Sequence, residues 1–265
     1  MRSPSVKPRP QLAELRASLP VFWRWCLDPD AARPSLLEAA VFAESARDGL
    51  MDVGRHLFGT HLLPDCLHGS PAGGADHPHA FYLPEDADGD GHMDHFLVYA
   101  GGGLDAHALT LCAGLSAVSL GRRRLKLSTM RIGGLVDRVG GPFGPAREWV
   151  SRTPYVTPNR ALRRGRVRPG YDVETQIVDE LKRRGLPQPQ AIEIFPSIRI
   201  SEEDTPPEAF VPPQRGSRAL LADRIGCFVR LAFRHPQSGP LALGHACHFG
   251  LGHFGPAGTR RGMPA

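Results

Sequence analysis

The chain has 265 residues, 41% hydrophobic and 22% charged, enough for one large domain or two small ones around a buried core. Its hydrophobicity and lack of a repeat exclude collagen-like, coiled-coil and wholly disordered chains. No run approaches ~18 consecutive apolar residues, and the basic, proline-rich start has no apolar segment behind it, which predicts a cytoplasmic protein without a membrane partner. Five widely spaced cysteines without a C-x-x-C pair fit a reducing compartment.

The net charge of +5 is concentrated in one segment. Residues 121–184 carry 16 Lys or Arg against 6 Asp or Glu, mostly in the runs GRRRLK and NRALRRGRVR. Arginine has a planar fork that suits bidentate contact with phosphate, so the sequence predicts a flexible phosphate-binding loop. A solvated basic surface is the alternative. The predicted phosphate contacts are Arg122, Arg123, Arg124, Lys126, Arg160, Arg163, Arg164, Arg166 and Arg168.

The elements predicted first along the chain are a helix, a long loop and a β-hairpin. Apolar residues at helical spacing over 35–58, with Ser35 as N-cap, predict a helix that faces the core. Residues 59–78 are rich in Gly, Pro, Asp and His and predict a loop. Two apolar and aromatic runs, 79–83 and 93–100, flank an aspartate-glycine tip and predict a β-hairpin.

A similar order of elements returns after a Gly/Pro stretch at 133–146. The further elements predicted are a helix at 105–117, strands at 123–132 and 148–156, a helix at 172–184 capped by Asp172, and strands at 190–195 and 226–234. We therefore expect an α+β fold of two β-rich halves with antiparallel sheets. The expected division is an arm and leading segment at 1–33, a first domain at 34–140 and a second at 141–265.

The hairpin tip carries four aspartates in a calcium-loop pattern. Asp86, Asp88, Asp90 and Asp94 match D-x-D-x-D-G-x-x-D, but Leu97 stands where an EF-hand has its glutamate, and the flanks predict strands. An EF-hand is therefore excluded. A structural Ca²⁺ site at the tip and a solvated Asp-Gly turn both stay open.

Histidines and glycines cluster at two places in the sequence. His77 and His79 stand at the mouth of the hairpin, and His245 and His248 lie in the C-terminal segment GPLALGHACHFGLGHFG, residues 239–255. A zinc site there is not expected because the His and Cys spacing follows no zinc pattern. The segment also has glycines through which backbone N–H groups approach a phosphate closely, namely Gly244, Gly250 and Gly252.

Two runs of the sequence resemble those of a known family. PHAFYLPEDADGDGHMDHFLVYA (the hairpin run, 78–100) and PLALGHACHFGLGHF (the glycine run, 240–254) resemble the CRISPR-associated RAMP endoribonucleases, in particular the processing half of the fused backbone and processing subunit of subtype I-U (I-G) systems. The resemblance extends over 34–256. It implies tandem ferredoxin-like (RRM-like) domains, a C-terminal glycine-rich loop that holds RNA, and metal-independent cutting of precursor CRISPR RNA within its repeats. The fused subunits carry a further RAMP portion ahead of this part, so a stand-alone enzyme and a fragment both stay open.

RNA cutting of this kind uses the 2′-hydroxyl of the substrate as nucleophile and leaves 2′,3′-cyclic phosphate and 5′-hydroxyl ends. The protein supplies a base, an acid and cations near the phosphate, without a metal cofactor. Histidine serves in either proton transfer near neutral pH. The predicted catalytic candidates are His77, His79, His245 and His248, and the basic residues and glycines named above are the predicted RNA contacts. A non-catalytic RNA-binding subunit of a CRISPR effector complex is the alternative. The expected partners are repeat RNA and other effector subunits.

Overall fold

The computed structural model of the chain describes residues 19–59, 63–68, 79–211 and 221–258. Its helices are α1 (Ala39–Phe58), α2 (Asp65–His68), α3 (Ala106–Gly114) and α4 (Val173–Arg183). Its strands are β1 (Phe22–Leu27), β2 (Phe81–Glu85), β3 (His95–Tyr99), β4 (Ala117–Leu120), β5 (Arg123–Gly133), β6 (Ala146–Ser151), β7 (Tyr155–Val156), β8 (Leu162–Arg163), β9 (Arg166–Val167), β10 (Ala191–Phe195), β11 (Ile198–Ile200), β12 (Glu203–Thr205), β13 (Gly226–Gln237), β14 (Leu241–Ala242) and β15 (His253–Pro256).

The first sheet has the strand order β2-β3-β1-β5-β4, and all neighbouring strands are antiparallel. Along the chain the elements run β1, α1, β2, β3, α3 and then the β4–β5 hairpin. This connectivity, with β1 between β3 and β5, is that of a ferredoxin-like fold with β4 added at the edge. The predicted hairpin, both predicted helices and the strand at 123–132 are confirmed.

Helix α1 covers the first sheet, and the turn that leads into it begins at a complete capping box. Ser35 Oγ accepts from the Leu37 N–H at 3.3 Å, and Glu38 Oε2 accepts from the Ser35 N–H at 3.1 Å. A 3-10 turn at Leu36–Glu38 precedes the helix. Phe42 and Leu50 are fully buried against the sheet, which stabilises the fold by about 1.5–3 kcal/mol for each side chain.

Strand β1 lies inside the leading segment 1–33, to which the sequence analysis assigned no element. It is central to the first sheet, pairing with β3 on one side and β5 on the other. Trp25 and Leu27 are buried in the core that includes α1, whereas Phe22 is buried on the opposite face. The first sheet therefore begins at Phe22, ahead of the expected domain start at residue 34.

The second sheet has the order β10-β13-β6-β15-β14, with β7 paired to β13. Its connectivity repeats that of the first sheet, with β6, α4, β10, β13 and β15 in the equivalent places. The glycine run takes the place of the second helix and contains a 3-10 turn at Cys247–Phe249. The α+β class with two ferredoxin-like antiparallel sheets is therefore confirmed, while the predicted strand at 148–156 is divided into β6 and β7.

The glycine run packs on both faces of the first sheet: Phe249 lies against the core that includes α1, and Cys247 lies on the opposite face. Leu83 and Leu97 from that face form one buried cluster with Phe143, Ala242 and Cys247 of the second half. This contact places the start of β2 beside the C-terminal segment. In the part of the chain that the structure describes, no helix combines the length and apolar character needed to cross a lipid bilayer.

Candidate active site and nucleic-acid interface

The hairpin run and the glycine run meet along strand β2. The ring of His248 stacks on Phe81 at the start of this strand, with centroids 4.1 Å apart and an interplanar angle of 17°. Further along, a Cβ placed on Gly250 would lie 2.9 Å from Pro84 Cδ. The two runs that carry the family resemblance are thus side by side in space, although they are far apart in the chain.

Two of the four candidate histidines come together at the start of β2. His79 lies just before the strand and His248 lies in the 3-10 turn of the glycine run, with ring centroids 6.2 Å apart in an edge-to-face arrangement. His79 Nδ1 is buried and has no hydrogen-bond partner among the described residues. His77 lies outside the described residues. The pair His79–His248 is therefore the site's candidate proton-transfer group.

The surroundings of His248 select its neutral form and its tautomer. His248 Nδ1 lies 3.1 Å from the carbonyl oxygen of Ala80, which accepts but does not donate, so Nδ1 carries the proton. Burial lowers the pKa of His248; the Ala80 carbonyl opposes the shift, and the charge of Arg184 and nearby His79 add to it. At neutral pH the Nε2 atom is therefore unprotonated and suited to act as a base.

Arg184 lies beside this histidine pair and was not predicted as a site residue. It caps the C-terminus of α4, and its Nη1 donates to the Ala242 carbonyl oxygen at 2.6 Å. Its Nη2 donates to Glu180 and lies 3.3 Å from Cys247 Sγ. The guanidinium carbon is 5.5 Å from the centroid of the Phe81 ring on which His248 stacks. A fixed positive charge thus stands next to the candidate base.

Glu180 joins α4 to the glycine run. Its Oε2 accepts from the Gly244 N–H at 2.9 Å, while its other oxygen accepts from Arg184. Burial raises the pKa of Glu180, and the positive charge of Arg184 opposes that shift. The i,i+4 spacing of Glu180 and Arg184 at the helix end was the available sequence signal. Together these two residues hold the backbone at Ala242 and at Gly244, ahead of His248.

The predicted glycines bring backbone close to other parts of the protein. Gly244 has φ +94°, and a Cβ there would lie 2.5 Å from the Val156 carbonyl oxygen. Gly252 has φ +56°, and its Cβ would lie 1.8 Å from the Leu243 carbonyl oxygen. The N–H of Gly252 donates to the Pro154 carbonyl and that of Gly244 to Glu180. Tight packing within the chain thus explains these glycines, and their contact with RNA stays a prediction, as does that of Gly250.

His245 is placed differently from the other candidate in the glycine run. Its backbone N–H donates to the Val156 carbonyl oxygen at 2.7 Å. Burial lowers the pKa of His245, and the positive charge of Arg224 lowers it further. The structure therefore brings His245 toward Arg224 rather than into the stack with Phe81.

The first basic run lies in the turn between β4 and β5 and along β5. Arg122, Arg123, Arg124 and Lys126 are all exposed, and Arg123 also forms an ion pair with Glu38, just before α1. Because side chains alternate along a strand, Arg124 and Lys126 project from the face opposite buried Leu125. All four predicted cations are thus presented to solvent.

The second basic run forms the β8–β9 hairpin rather than a flexible loop. Arg163, Arg164 and Arg166 are exposed at its tip. Arg160 forms an ion pair with Asp223 at 2.9 Å, and the guanidinium of Arg168 lies 3.8 Å from the centroid of the Tyr171 ring. The exposed arginines at the tip are therefore carried by a hairpin whose base is held by the contacts of Arg160 and Arg168.

The aspartate turn between β2 and β3 brings three of its four aspartates together. One carboxylate oxygen each from Asp86, Asp88 and Asp90 lies within 4.8 Å of the others. Asp94 lies outside this group and accepts from the Ala87 N–H at 3.0 Å, with His95 Nδ1 at 2.7 Å. Asp86 accepts from two N–H groups inside the turn. Three oxygens are fewer than the 6–8 ligands that Ca²⁺ takes, and a structural calcium ion stays a prediction.

Comparison with known proteins gives distant structural likenesses. No family model matches the chain, and no curated protein matches it. One similar solved structure is a RAMP protein described as binding different RNA substrates, with 8% identity over 89% of this chain and 98% of that one and a TM-score of 0.39. A second is a Cas6-related protein of Pyrococcus furiosus, with 9% identity over 89% of this chain and 97% of that one and a TM-score of 0.41. A third is a Cas6 product complex, with 14% identity over 91% of this chain and 100% of that one and a TM-score of 0.43. Since the TM-scores are below 0.5, the fold is defined here by the strand order of the two sheets.

Proposed function

We propose that this protein is an endoribonuclease that binds CRISPR repeat RNA and cleaves it by attack of a 2′-hydroxyl on the adjacent phosphate. The products are a 2′,3′-cyclic phosphate and a 5′-hydroxyl end, and no metal cofactor is required. The observation that carries the proposal is the meeting of His79 and His248 beside Arg184, where the two runs of the family resemblance come together. Association with other effector subunits is a further expectation of the same resemblance.

The three side chains supply the three functions that this reaction needs. His248 Nε2 takes the proton of the 2′-hydroxyl, because its Nδ1–H is committed to the Ala80 carbonyl. His79 returns a proton to the 5′-oxygen as the bond from phosphorus to that oxygen breaks. The charge of Arg184 stabilises the additional negative charge on the phosphate in the transition state. General acid–base catalysis of this kind contributes about 10²–10⁴-fold to a rate.

A non-catalytic RNA-binding subunit is the second candidate. The observation that favours it is the packing of His248, which is stacked on Phe81 and hydrogen-bonded to backbone as a structural histidine would be. Such a subunit has the same exposed arginines on β5 and on the β8–β9 hairpin, and differs only in leaving the RNA intact.

Cleavage of labelled repeat RNA in EDTA separates the two candidates. We expect shortened RNA with a cyclic-phosphate end, because the nucleophile belongs to the substrate and no metal-bound water is needed. A single 2′-deoxy sugar at the cut site should stop cleavage and leave binding unchanged. RNA that stays intact at saturating protein, with or without added divalent metal, would contradict the proposed activity.

Removing charge from the β8–β9 hairpin should weaken RNA binding in a salt-dependent way. For the double variant Arg163→Ala/Arg166→Ala, we expect the slope of log K against log [salt] to fall by about 1.5, because each phosphate contact contributes about 0.7–0.9. The matched control is Arg147→Ala/Arg199→Ala, which removes two exposed arginines outside the hairpin. Filter binding at several salt concentrations measures both, and equal slopes for the two variants would exclude the hairpin as a phosphate contact.

A further inference from the structure

Strand β5 extends beyond its neighbour β4 and leaves an open edge. β4 pairs with β5 only over residues 123–126, and the Leu127 N–H then donates to the Ser116 carbonyl oxygen at 2.8 Å. Over residues 128–133 (the open edge), β5 has β1 on one side and no strand on the other in the part of the chain that the structure describes. Residues 128–132 are all exposed. The open edge is therefore accessible to a further strand, and extended peptides add to sheets at such edges.

Exposed aliphatic side chains lie on and just after the open edge. This aliphatic cluster consists of Met130, Ile132, Leu135, Val136 and Val139. Val136 has 89% of its surface exposed and Val139 has 61%. Elsewhere among the described residues, the exposed large apolar side chains are Leu57, Val167 and Ile194, each far from the others in the chain. Apolar side chains that are exposed together mark interaction sites, whereas single ones are ordinary.

Hydrogen bonds hold the loop that follows β5 and carries part of the aliphatic cluster. The loop turns back toward the strand, where the Arg131 guanidinium donates to the carbonyl oxygens of Asp137 and Val139. Arg138 Nη1 donates to the Gly239 carbonyl oxygen at 2.9 Å and joins the loop to the second half of the molecule. The loop is thus already ordered, so a partner that binds it does not pay the entropy of ordering it.

The surface around the open edge is positively charged. Residues 121–147 contain seven Lys or Arg and one acidic residue, Asp137. Arg124 and Lys126 are exposed on β5 directly before the open edge. Arg131 bonds to backbone carbonyl oxygens, which carry no net charge to compensate its own. A complementary partner therefore carries acidic residues as well as apolar ones.

The side chains of this surface favour a protein over RNA. Proteins bind unpaired RNA bases by stacking them on aromatic rings, and residues 128–139 contain no aromatic residue. Aliphatic side chains gain little from contact with phosphates, which stay hydrated. An extended protein segment would gain main-chain hydrogen bonds from the open edge and would bury the aliphatic cluster.

We propose that the open edge and the aliphatic cluster bind an extended segment of a partner protein, which adds a strand to the first sheet in line with β4. Apolar and acidic residues alternate in this segment, because side chains alternate between the two faces of a strand. The apolar residues pack on the aliphatic cluster, and the acidic residues lie near the basic residues of β5. The inference goes beyond the proposed function and does not depend on RNA cleavage.

A synthetic peptide with blocked ends, EVEIEVE, tests the site on the full chain. We expect saturable binding in NMR titration and at least about 10-fold slower hydrogen exchange of amides in residues 128–133. The peptide VVIEEEE, of equal charge and composition, should bind at least about 10-fold more weakly, because it cannot place its apolar residues on one face. No saturable binding of EVEIEVE, or equal binding of the two peptides, would overturn the proposal.

Methylation of the peptide amides tests strand pairing itself. Only every second N–H of an added strand faces β5. N-methylation of one alternate set of amides in EVEIEVE should therefore abolish binding, while methylation of the other set should be tolerated. Equal binding of the two methylated peptides would show that no strand is added.

A variant at Val136 locates the binding surface. Val136→Glu should weaken binding of EVEIEVE by about 10-fold, because it places a negative charge within the aliphatic cluster. The matched control is Val167→Glu, which changes an exposed valine of the β8–β9 hairpin in the same way and should bind as the unchanged protein does. Equal weakening by both substitutions would overturn the assignment to this surface.

Two other occupants of the open edge are distinguished by further measurements. Sedimentation of the protein alone would assign the surface to a second copy of the chain if it shows a dimer that Val136→Glu dissociates. Titration with single-stranded oligouridine would assign it to RNA if the amides of residues 128–133 are protected more strongly than by the peptide. Either result would overturn the proposal of a protein partner.

Discussion

Replacing His248 with phenylalanine is expected to lower the rate of repeat cleavage by about 10²–10⁴-fold and to leave RNA affinity nearly unchanged. Phenylalanine keeps a ring to stack on Phe81 but has no nitrogen to accept the 2′-hydroxyl proton. His79→Ala should also slow cleavage strongly, because it removes the proposed acid. Single-turnover cleavage with saturating protein measures the chemical step, and binding is measured on the 2′-deoxy substrate.

The control for this experiment is His56→Phe, an exposed histidine near the end of α1. It should cleave as fast as the unchanged protein. Burial lowers the pKa of His248, so the base form persists to lower pH, and the acidic limb of the rate–pH profile should have its midpoint below about 6.5. A His79→Ala/His248→Phe double variant that cleaves normally would eliminate both residues from the mechanism.

Replacing Glu180 with alanine is expected to reduce the free energy of unfolding by about 3–5 kcal/mol. The substitution removes the carboxylate that faces Arg184 and leaves the Gly244 N–H without its acceptor. A charge left unpaired inside a protein costs more than the ion pair contributes, which is why the loss is large. Urea denaturation measures the effect through the shift in midpoint at constant slope.

Two companion variants separate the causes of this destabilisation. Glu174→Ala, at an exposed position of the same helix, should change stability by no more than about 1 kcal/mol. Glu180→Ala/Arg184→Met should recover part of the loss, because the uncompensated charge is removed together with its partner. If Glu180→Ala is as stable as Glu174→Ala, the bridge from α4 to the glycine run does not hold that segment in place.

Helix α1 and the β2–β3 hairpin could be predicted from the sequence because the patterns that specify them lie within each segment. Helix α1 was predicted from apolar spacing and from the Ser35 cap, and the β2–β3 hairpin from two apolar runs around an aspartate-glycine tip. Strand β1 was missed because FWRWCL, with Arg24 as its one charged residue, does not alternate between apolar and polar residues. Its two faces are both buried, one under α1 and the other under the second half, so the polar side of the pattern is nearly absent.

The candidate site could be predicted from the sequence only in part. The sequence predicted four catalytic candidates, His77, His79, His245 and His248, and could not choose among them. The choice depends on which residues surround each histidine in the folded protein, and the local sequence does not show this. The sequence also predicted the basic residues expected to contact RNA, but it did not show that Arg123 is paired with Glu38.

Composition, apolar periodicity and capping predicted the class of fold, its main helices and the basic segment, because each depends on residues close together in the chain. Only the tertiary structure shows that the hairpin run contacts the glycine run and that Arg184 lies near His248. It also shows that Gly244 and Gly252 lie so close to backbone carbonyl oxygens of the same chain that a Cβ would not fit. These contacts depend on how two sheets pair and pack against each other. Strand register and the packing of distant segments depend on contacts throughout the core, so a local sequence pattern does not predict them.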